Sequence, residues 1–588
     1  MTDSDQPETG ERLVAELETL GVEYVFGYPG GRVIEVLDHL PDSDVDLVRP
    51  RDEREASVMA EMYGRLTGEP GVLAGQGPWI GSLGAIGQME GRLASSPMVT
   101  ITEASERGEY STLAPYQQAS GDYGGLDLPA ALSAFTKEHW FPRSPTETIR
   151  TLHLAVKHAT AGRPGPTAVV LDGDAVTEPV PADPIPPIWD ADAQARTWEA
   201  RPTAADVARA AEALAGAERP VVIAGNGVHA AGAYDELRAV AEAYDAVVTT
   251  SYLGKSTFPE THDLAAGVIG SFGHEGANRV VSEADVLLVV GSRLNPMDTN
   301  WQAPAFIRPD EQTIVHADVD SRNAGWVYPA DVGLIGDAAR SLADLAAVAR
   351  DGDGAGVDGD GSQAASEGAG NDWARERAAE AREWFHAPAC ESDASPVKPQ
   401  RAVAEIERVV DEDTIVTADS GNNRFWLLNY LQTPAVRTYF GSGGVGAMGW
   451  ATPAGVSAAI ATDKDVVAVA GDGGFAMTMT SVETAVEQGV APTVVVLNDT
   501  SLGMVRQMQA EDGDIAGVEF HDTDFVAVAE AFGAVGTRVE TPDALAEALE
   551  AGKAADLPHV IDVRVDRDED MAETLQSSFY ESVGGLHE

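Results

Sequence analysis

Residues 466–499 read VVAVAGDGGFAMTMTSVETAVEQGVAPTVVVLND and contain two apolar runs, each followed directly by polar residues. The first run, 466–470, is typical of a buried strand and ends in GDGG, while the second ends in Asn498-Asp499. The 24 residues between Gly473 and Asn498 suit one helix and one strand. This unit predicts a doubly wound α/β domain, in which parallel strands present their carboxyl ends at one edge of the sheet.

Polar residues at these two strand ends form a candidate metal site. Asp472 and Asn498 are expected to meet at the sheet edge. A carboxylate, an amide oxygen and a main-chain carbonyl make a hard oxygen site, suited to Mg²⁺ that also holds phosphates. The neighbouring glycines let the backbone approach a diphosphate near a helix N-terminus. The alternative is a tight turn with a solvated aspartate, which the asparagine at the next strand end makes less favoured.

The same alternation of short β-rich runs and longer helical patterns occurs in two further parts of the chain. We predict three doubly wound parallel-sheet domains, at residues 1–180, 200–345 and 396–570. Residues 351–371 are rich in Gly, Asp, Ala and Ser and predict a flexible acidic linker. An architecture shared by the first and third domains is compatible with this pattern.

Composition excludes several classes of partner. The 588 residues include 95 Asp and Glu against 39 Lys and Arg, for a formal charge of −56. Such a surface repels phosphate backbones and anionic lipids, so neither nucleic acid nor a membrane is expected as a partner. Only six of the basic residues are lysines, which leaves 33 arginines. This acidic, lysine-poor composition resembles that of halophiles, where molar salt screens the self-repulsion.

The single cysteine, Cys390, excludes an internal disulfide and a cysteine-rich metal cluster. The acidic N-terminus lacks the basic and apolar segments of a signal peptide. No apolar run approaches the ~18 residues that a membrane span needs. A cytoplasmic location is therefore expected.

Four segments resemble the thiamine-diphosphate (ThDP) enzymes, and their acetolactate-synthase-like branch (large, catalytic subunit type) in particular. They are VFGYPGG (Val25–Gly31), AGRPGP (Ala161–Pro166), FGSGGVGAMGWATPAG (Phe440–Gly455) and LNDTSLGMV (Leu497–Val505). The resemblance implies a pyrimidine-binding, a central and a diphosphate-binding domain. It also implies a homo-oligomer, dimer or tetramer, with the cofactor between the first domain of one subunit and the third of its partner. A regulatory subunit is left open.

The resemblance also assigns roles to individual residues. Asp472, Asn498 and the backbone oxygen of Thr500 would ligate Mg²⁺. Met448 would prop the cofactor into a bent shape, and the carbonyl of Gly446 would accept a hydrogen bond from its aminopyrimidine. The other cofactor-binding positions implied are Tyr28, Gly30, Gly77, Gly471, Gly473, Gly474, Leu502, Gly503 and Met504.

Three residues are candidates for catalysis. Glu53 matches the activating glutamate, whose hydrogen bond to the pyrimidine favours the imino tautomer that removes the thiazolium proton. The alternative is a surface carboxylate among charged neighbours. Gln117 matches an active-site glutamine, against a plain loop amide. Lys137 matches a lysine near the substrate channel, although an apparent insertion precedes it.

Several positions on the substrate side depart from acetolactate synthase. Met297 stands where that enzyme has the arginine that anchors its second oxo acid, and Met508 replaces a tryptophan of the same pocket. Arg32 and Trp79 are additional departures. The arginine missing at position 297 and the additional arginine at position 32 suggest that the substrate carboxylate is held from a different side of the pocket. We therefore predict that Arg32 and Trp79 help to select a different, larger or aromatic, 2-oxo acid.

The central domain contains RPVVIAGNGVHAAG (Arg219–Gly232), a strand followed by a glycine-rich turn. A pattern of this kind is weak evidence for a nucleotide site. In the family that it resembles, this domain holds FAD, binds an ADP or CoA moiety, or holds nothing. Basic residues for CoA phosphates are few here, and bound FAD remains one of the alternatives.

The function predicted is ThDP- and Mg²⁺-dependent decarboxylation or carboligation of a 2-oxo acid. Pyruvate to 2-acetolactate, a step of branched-chain amino-acid biosynthesis, is the reaction that the resemblance implies. The alternatives are a decarboxylase of a larger 2-oxo acid, a flavin-dependent pyruvate oxidase and a non-catalytic ThDP-binding protein. Glu53 argues against the last of these, because a binding module has no use for an activating carboxylate.

Overall fold

The computed structural model describes residues 6–104, 119, 125–173, 175–353, 371–569 and 571. These residues form three six-stranded sheets in which every pairing between strands is parallel, with helices between the strands. The architecture confirms the predicted fold class of three doubly wound α/β domains.

The first sheet has the strand order β2-β1-β3-β4-β6-β5. Its strands are β1 (Tyr24–Tyr28), β2 (Asp46–Val48), β3 (Gly71–Gly75), β4 (Met98–Glu103), β5 (Glu138–Trp140) and β6 (Pro166–Leu171). Its helices are α1 (Thr9–Thr19), α2 (Ile34–Leu37), α3 (Glu53–Thr67), α4 (Gly77–Ile80), α5 (Ala85–Ala94), α6 (Leu128–Phe135), α7 (Pro145–Thr160) and, before the second sheet, α8 (Ala191–Ala195).

The central sheet has the order β12-β11-β10-β7-β8-β9, the arrangement of dinucleotide-binding folds. Its strands are β7 (Pro220–Ala224), β8 (Val247–Thr250), β9 (Ala265–Val268), β10 (Val286–Val290), β11 (Thr313–Asp318) and β12 (Val332–Ile335). Its helices are α9 (Ala204–Ala215), α10 (Asn226–Ala231), α11 (Tyr234–Ala243), α12 (Glu275–Glu283), α13 (Ala338–Asp353) and α14 (Asp372–Arg382). Between α13 and α14, most of the predicted linker lies outside the described residues.

The third sheet has the order β14-β13-β15-β16-β18-β17. Its strands are β13 (Thr414–Ala418), β14 (Tyr439–Gly441), β15 (Asp465–Gly471), β16 (Thr493–Asn498), β17 (Val535–Val539) and β18 (His559–Arg564). Its helices are α15 (Pro399–Val409), α16 (Asn422–Tyr430), α17 (Ala451–Ala461), α18 (Asp472–Thr478), α19 (Ser481–Gln488), α20 (Gly503–Asp512), α21 (Phe525–Ala531) and α22 (Pro542–Lys553).

The first and third sheets repeat one strand order, so each reverses direction between its first and third strands. Such a reversal opens a crevice at the carboxyl ends of the two strands, and ligands of doubly wound folds bind there. In the third sheet, β13 and β15 border this crevice, and GDGG follows directly from β15. The topology thus accounts for the position of the predicted metal site.

Helices α3 and α17 join the first and third domains through one apolar core. Met62 and Leu66 of α3 belong to the same buried cluster as Trp450, Ala454 and the inner strands of the third sheet. Within the described part of the chain, no helix is long and apolar enough to cross a membrane.

Candidate active site

A cavity of about 150 Å³ lies at the carboxyl edge of the third sheet. It is bordered by the turns after β13, β15 and β16 and by the start of α20. Eight residues predicted to bind the cofactor or metal line it together: Met448, Gly471, Asp472, Gly473, Gly474, Leu502, Gly503 and Met504. The structure therefore brings most of the diphosphate-side candidates to one place.

In the described part of the chain, the Asp472 carboxyl has no positive counter-charge. It is 5% exposed, and no basic side chain of the described chain forms an ion pair with it. Burial and, to a smaller extent, the nearby Asp499 carboxylate together raise the pKa of Asp472 to about 7. A buried carboxylate of this kind needs a cation, and Mg²⁺ bound through oxygen ligands fits.

The side chain of Asn498 is held in one orientation. Its Nδ2 donates to Asp562 at 2.8 Å, and its Oδ1 accepts from the Thr500 N–H at 3.1 Å. The Oδ1 atom therefore faces the turn after β16. Thr500 occupies the left-handed region, with φ of 57°, and its carbonyl accepts from the Phe520 N–H at 2.9 Å. A second lone pair of that carbonyl remains for a metal.

The predicted magnesium ligands are thus two side chains and one carbonyl. Among the described residues, no group of three or more His, Cys, Asp or Glu side chains could hold a metal ion. A site with so few protein carboxylates suits a Mg²⁺ ion that takes its remaining ligands from phosphates and water.

At Gly473 and Gly474 of GDGG, a larger residue would collide with neighbouring side chains. A Cβ on Gly473 would lie 3.3 Å from Met448 Cε and 2.9 Å from the Phe520 ring. A Cβ on Gly474 would lie 2.3 Å from Asp419 Oδ2. The absence of side chains at Gly473 and Gly474 would let backbone N–H groups approach a diphosphate closely beside Met448.

The loop that carries Gly446 and Met448 is held from the first domain by Glu90. The Glu90 carboxylate accepts hydrogen bonds from three successive backbone N–H groups, those of residues 443, 444 and 445, at 3.0, 2.6 and 2.8 Å. Arg65 pairs with the same carboxylate at 3.0 Å and donates to the Gly441 carbonyl at 2.8 Å. Glu90 therefore fixes the approach of the loop to the cofactor cavity.

Sequence analysis did not identify Glu90, because a glutamate in a helical pattern is most often a surface residue. One signal was available. Gly87, Gly91 and Ala94 recur at helical spacing and mark a closely packed face of α5, and Glu90 falls on that face.

Glu53, unlike the residues around the diphosphate cavity, lies at the carboxyl edge of the first sheet. It is the first residue of α3 and is 6% exposed. Burial raises the pKa of the Glu53 carboxyl, and the neighbouring Asp52 raises it further. Gly75, at the end of β3, adjoins it, since a Cβ there would lie 3.5 Å from Glu53 Cγ. Burial therefore penalises the charged form of the Glu53 carboxyl relative to the neutral form, which can donate a hydrogen bond.

Other candidates converge on the same edge. Gly30 follows β1, and a Cβ there would lie 3.3 Å from Gln76 Oε1. Gly77 packs directly on the Glu103 carbonyl, 2.1 Å from where its Cβ would be, so only glycine fits. Tyr28 ends β1 and is exposed. The candidates of the first domain thus lie together at one sheet edge, and none of the described first-domain residues lines the diphosphate cavity.

Lys137 has a full set of partners that are not substrate. Its Nζ donates to the carbonyls of His158, Ala161 and Arg163 at 2.7, 2.6 and 2.8 Å, and so caps the end of α7. Burial lowers the pKa of Lys137 to about 8. These contacts favour a structural role, and the catalytic role stays a prediction. Gln117 lies outside the described residues.

Arg32 and Trp79, the two additional departures from acetolactate synthase, differ in how far other protein groups engage their side chains. Arg32 donates from Nε and Nη2 to the Gly173 carbonyl, at 3.1 and 2.7 Å, and pairs with Glu35 at 3.6 Å. Most of its donors are therefore engaged by the protein. Trp79 is exposed, and its indole N–H donates to Gln76 Oε1 at 3.1 Å.

Met297 and Met508 are both half-buried. Met297 packs against the apolar cluster that contains Phe272 and Trp426, and so adjoins the boundary between the central and third domains. Met508 lies on α20, one turn after Met504 of the cavity wall. Their roles in substrate selection remain predictions.

A second cavity, of about 370 Å³, lies at the carboxyl edge of the central sheet. Gly225 and Gly227 pack against the Gly291 turn so tightly that a Cβ on either would lie within 2.6 Å of it. Arg163 and Arg293 also line this cavity. Burial and, to a smaller extent, the nearby Arg293 together lower the pKa of Arg163 to about 10, although Asp318 and Asp320 act in the opposite direction.

Fold and site together define a class: a three-domain α/β protein with a candidate metal–diphosphate site at the edge of its third sheet. Models of the thiamine pyrophosphate enzymes match the chain in three places. The N-terminal TPP binding domain matches residues 7–124, the central domain 207–345 and the C-terminal TPP binding domain 419–563.

The chain is also similar to curated proteins that are named acetolactate synthase. The chain is 32% identical to the probable acetolactate synthase large subunit of Methanocaldococcus jannaschii, over 95% of this chain and 91% of that protein. It is 31% identical to the acetolactate synthase isozyme 3 large subunit of Escherichia coli, over 95% of each. It is 32% identical to the acetolactate synthase large subunit of Corynebacterium glutamicum, over 95% and 86%.

The chain belongs to the thiamine pyrophosphate enzyme family, in its acetolactate-synthase-like branch. Its cofactor is thiamine diphosphate with Mg²⁺. The family, the class of enzyme and the cofactor predicted from the sequence are thereby confirmed.

Proposed function

We propose that this enzyme decarboxylates a 2-oxo acid and transfers the remaining acyl unit to a second 2-oxo acid, as in the formation of 2-acetolactate from pyruvate. The observation that carries the proposal is the buried Asp472 carboxylate, which has no basic partner among the described residues and faces a glycine-lined cavity. The relatives named acetolactate synthase support this reaction. A decarboxylase of a larger 2-oxo acid is the alternative, because Met297 and Met508 replace residues expected in the acceptor pocket.

The edges of the third and first sheets, each a half-site in this proposal, contribute their own residues. Asp472, Asn498 and the Thr500 carbonyl would hold the metal, and the backbone around Gly473 would hold the diphosphate. Bound ThDP supplies a thiazolium ring that adds to a carbonyl group and stores the electrons released by decarboxylation. Glu53 would hold a proton at its carboxyl and exchange it with the aminopyrimidine, for which its raised pKa is suited.

We propose a homodimer or tetramer as the active form, with Glu53 of one chain completing the diphosphate cavity of another. In support, the two half-sites lie at the edges of separate sheets, and no first-domain residue among those described lines the cavity. A regulatory subunit and a cytoplasmic location remain part of this proposal.

The function is tested by CO₂ release from pyruvate and a panel of 2-oxo acids, with ThDP and Mg²⁺ in molar KCl. The products are assayed for acetoin after acidification. Release from pyruvate with acetoin supports acetolactate synthesis. Release only from larger oxo acids, without acetoin, supports the decarboxylase, and the absence of any release contradicts both.

We also propose that the central cavity binds a phosphate-bearing nucleotide, with FAD as the first candidate. The dinucleotide-type strand order supports it, as do Arg163 and Arg293, which line the cavity beside four acidic residues, Glu199, Asp298, Asp318 and Asp337. Absorption near 450 nm in the supernatant of the heat-denatured protein would identify a flavin. A colourless protein without bound nucleotide by mass spectrometry would contradict the proposal.

A further inference from the structure

Among the described residues, three arginines that are almost fully buried differ in how their charge is balanced. Arg65, Arg401 and Arg424 are 9, 8 and 7% exposed. Arg65 pairs with two glutamates, and Arg401 pairs with Glu405 at 2.6 Å. Arg424 makes no ion pair with any described residue, although the chain has 95 acidic side chains. Its charge therefore requires another explanation.

The Arg424 guanidinium lies against aromatic rings and keeps unused donors. Its Cζ is 4.9 Å from the ring centroid of Phe272 and 5.8 Å from that of Tyr252. Nη1 donates to the Ser442 carbonyl, while Nε is buried and has no hydrogen-bond partner among the described residues. A buried N–H donor of a cation that has no hydrogen-bond partner lowers the stability of the folded protein.

One candidate for a counter-charge, Asp419, is already engaged by other donors. Asp419 is buried and feels the charge of Arg424, which lowers its pKa against the larger effect of burial. Its oxygens accept hydrogen bonds from the backbone N–H groups of Gly449, at 2.9 Å, and Trp450, at 3.3 Å. They form no ion pair with Arg424. Within the described residues, the positive charge of Arg424 is therefore balanced by no carboxylate, and its Nε–H remains free for an anion.

Arg424 adjoins the cofactor loop but not the diphosphate cavity. Its Nη1 would lie 3.8 Å from a Cβ on Gly446, with Ser420 Oγ at 3.9 Å from the same point. Asn423 and Trp426 of the same helix line the diphosphate cavity, whereas Arg424 does not. An anion at Arg424 would therefore lie beside Gly446 and away from the diphosphate.

Resting on the function proposed above, we infer that Arg424 binds the carboxylate of the acceptor 2-oxo acid. The donor loses its carboxylate as CO₂, so a strong contact to that group would stabilise the ground state and slow the reaction. The acceptor keeps its carboxylate throughout, and a planar guanidinium holds it by charge-assisted hydrogen bonds. The rings of Phe272 and Tyr252 exclude water from the contact.

The test compares anion binding with cofactor binding. Oxamate, an unreactive analogue of a 2-oxo acid, is titrated by calorimetry into the full chain loaded with ThDP and Mg²⁺ at one fixed KCl concentration. Arg424→Gln should weaken oxamate binding by about ten- to a hundredfold, and Arg424→Lys by less. The matched control is Arg401→Gln, which alters an equally buried arginine and should leave oxamate binding unchanged.

Kinetics then separate substrate binding from loop positioning. Arg424→Gln should raise KM for a 2-oxo acid acceptor and leave KM for an aldehyde acceptor, which lacks the carboxylate, unchanged. Equal losses with both acceptors, together with weaker ThDP binding, would assign Arg424 to the loop and overturn the inference. So would oxamate binding that is absent from the unaltered protein or insensitive to Arg424→Gln.

Failure of the proposed function is distinguishable from failure of this inference. If no 2-oxo acid releases CO₂ but oxamate binding still depends on Arg424, the carboxylate site stands and the proposed reaction does not. If CO₂ is released and Arg424→Gln changes neither oxamate affinity nor acceptor KM, the reaction stands and the site does not.

Discussion

Replacing Glu90 by glutamine should weaken both the fold and the binding of ThDP. The carboxylate receives three backbone N–H groups at 2.6 to 3.0 Å and the buried Arg65 at 3.0 Å. An amide has one acceptor oxygen and turns its own donors toward this cluster. Breaking a buried charge pair in this way costs about 3–5 kcal/mol of unfolding free energy.

The effect on ThDP follows from the position of the loop. Residues 443–445 lead directly into Gly446 and Met448, so the loss of one hydrogen bond to a charged group, about 1.5 kcal/mol, corresponds to about tenfold weaker ThDP binding. Unfolding is followed by circular dichroism in urea at fixed KCl. ThDP binding is followed by tryptophan fluorescence, because Trp426 lines the cavity.

The control for Glu90→Gln is Glu405→Gln. Glu405 is fully buried and pairs with Arg401 and Arg408 at 2.6 and 2.7 Å, and among the described residues it makes no hydrogen bond or ion pair to the cofactor loop. We expect it to destabilise the protein without changing ThDP affinity. Equal ThDP affinities in Glu90→Gln and the unaltered protein, despite comparable loss of stability, would refute the positioning role of Glu90.

Three further changes have distinct signatures. Glu53→Gln should reduce CO₂ release by at least about a hundredfold while Mg²⁺ and ThDP still bind, and retained turnover would remove Glu53 from the mechanism. Lys137→Gln should lower the melting temperature by leaving three carbonyls uncapped and keep kcat, whereas a selective loss of kcat in a stable variant would restore its catalytic role. Burial raises the pKa of Glu55 from 4.5 to about 7, so its contribution to stability is complete below pH 4.5 and is lost as the pH rises through 7. Glu55→Gln should remove this pH-dependent loss of unfolding free energy, which amounts to about 3 kcal/mol. The measurement is a set of unfolding curves of both proteins between about pH 4.5 and 8. Identical pH dependence of stability in the two proteins would contradict the prediction.

The diphosphate half-site could be predicted from sequence because its determinants are local. Two apolar runs, one helix length and the polar residues after each run are enough to place Asp472 and Asn498 at one sheet edge. The same local signals gave the parallel sheets, whose inner strands are buried on both faces and read as continuous apolar runs.

Contacts between distant parts of the chain were not predictable in this way. Arg32 follows a glycine-rich turn, yet its guanidinium binds the carbonyl of Gly173, 141 residues away. Lys137 caps carbonyls that follow it by 21 to 26 residues. In both cases the residue type indicated a charge, but only the packed structure shows which groups receive it.

The placement of Glu53 and Asp472 at the edges of two separate sheets has a consequence for inheritance. If each working site combines the Glu53 edge of one chain with the Asp472 edge of another, a chain altered at Glu53 and a chain altered at Asp472 are each inactive alone. Assembled together, they would make one site that carries both defects and one site that carries neither. Two defective alleles in the same cell would then restore part of the activity, whereas a single allele with both changes would restore none.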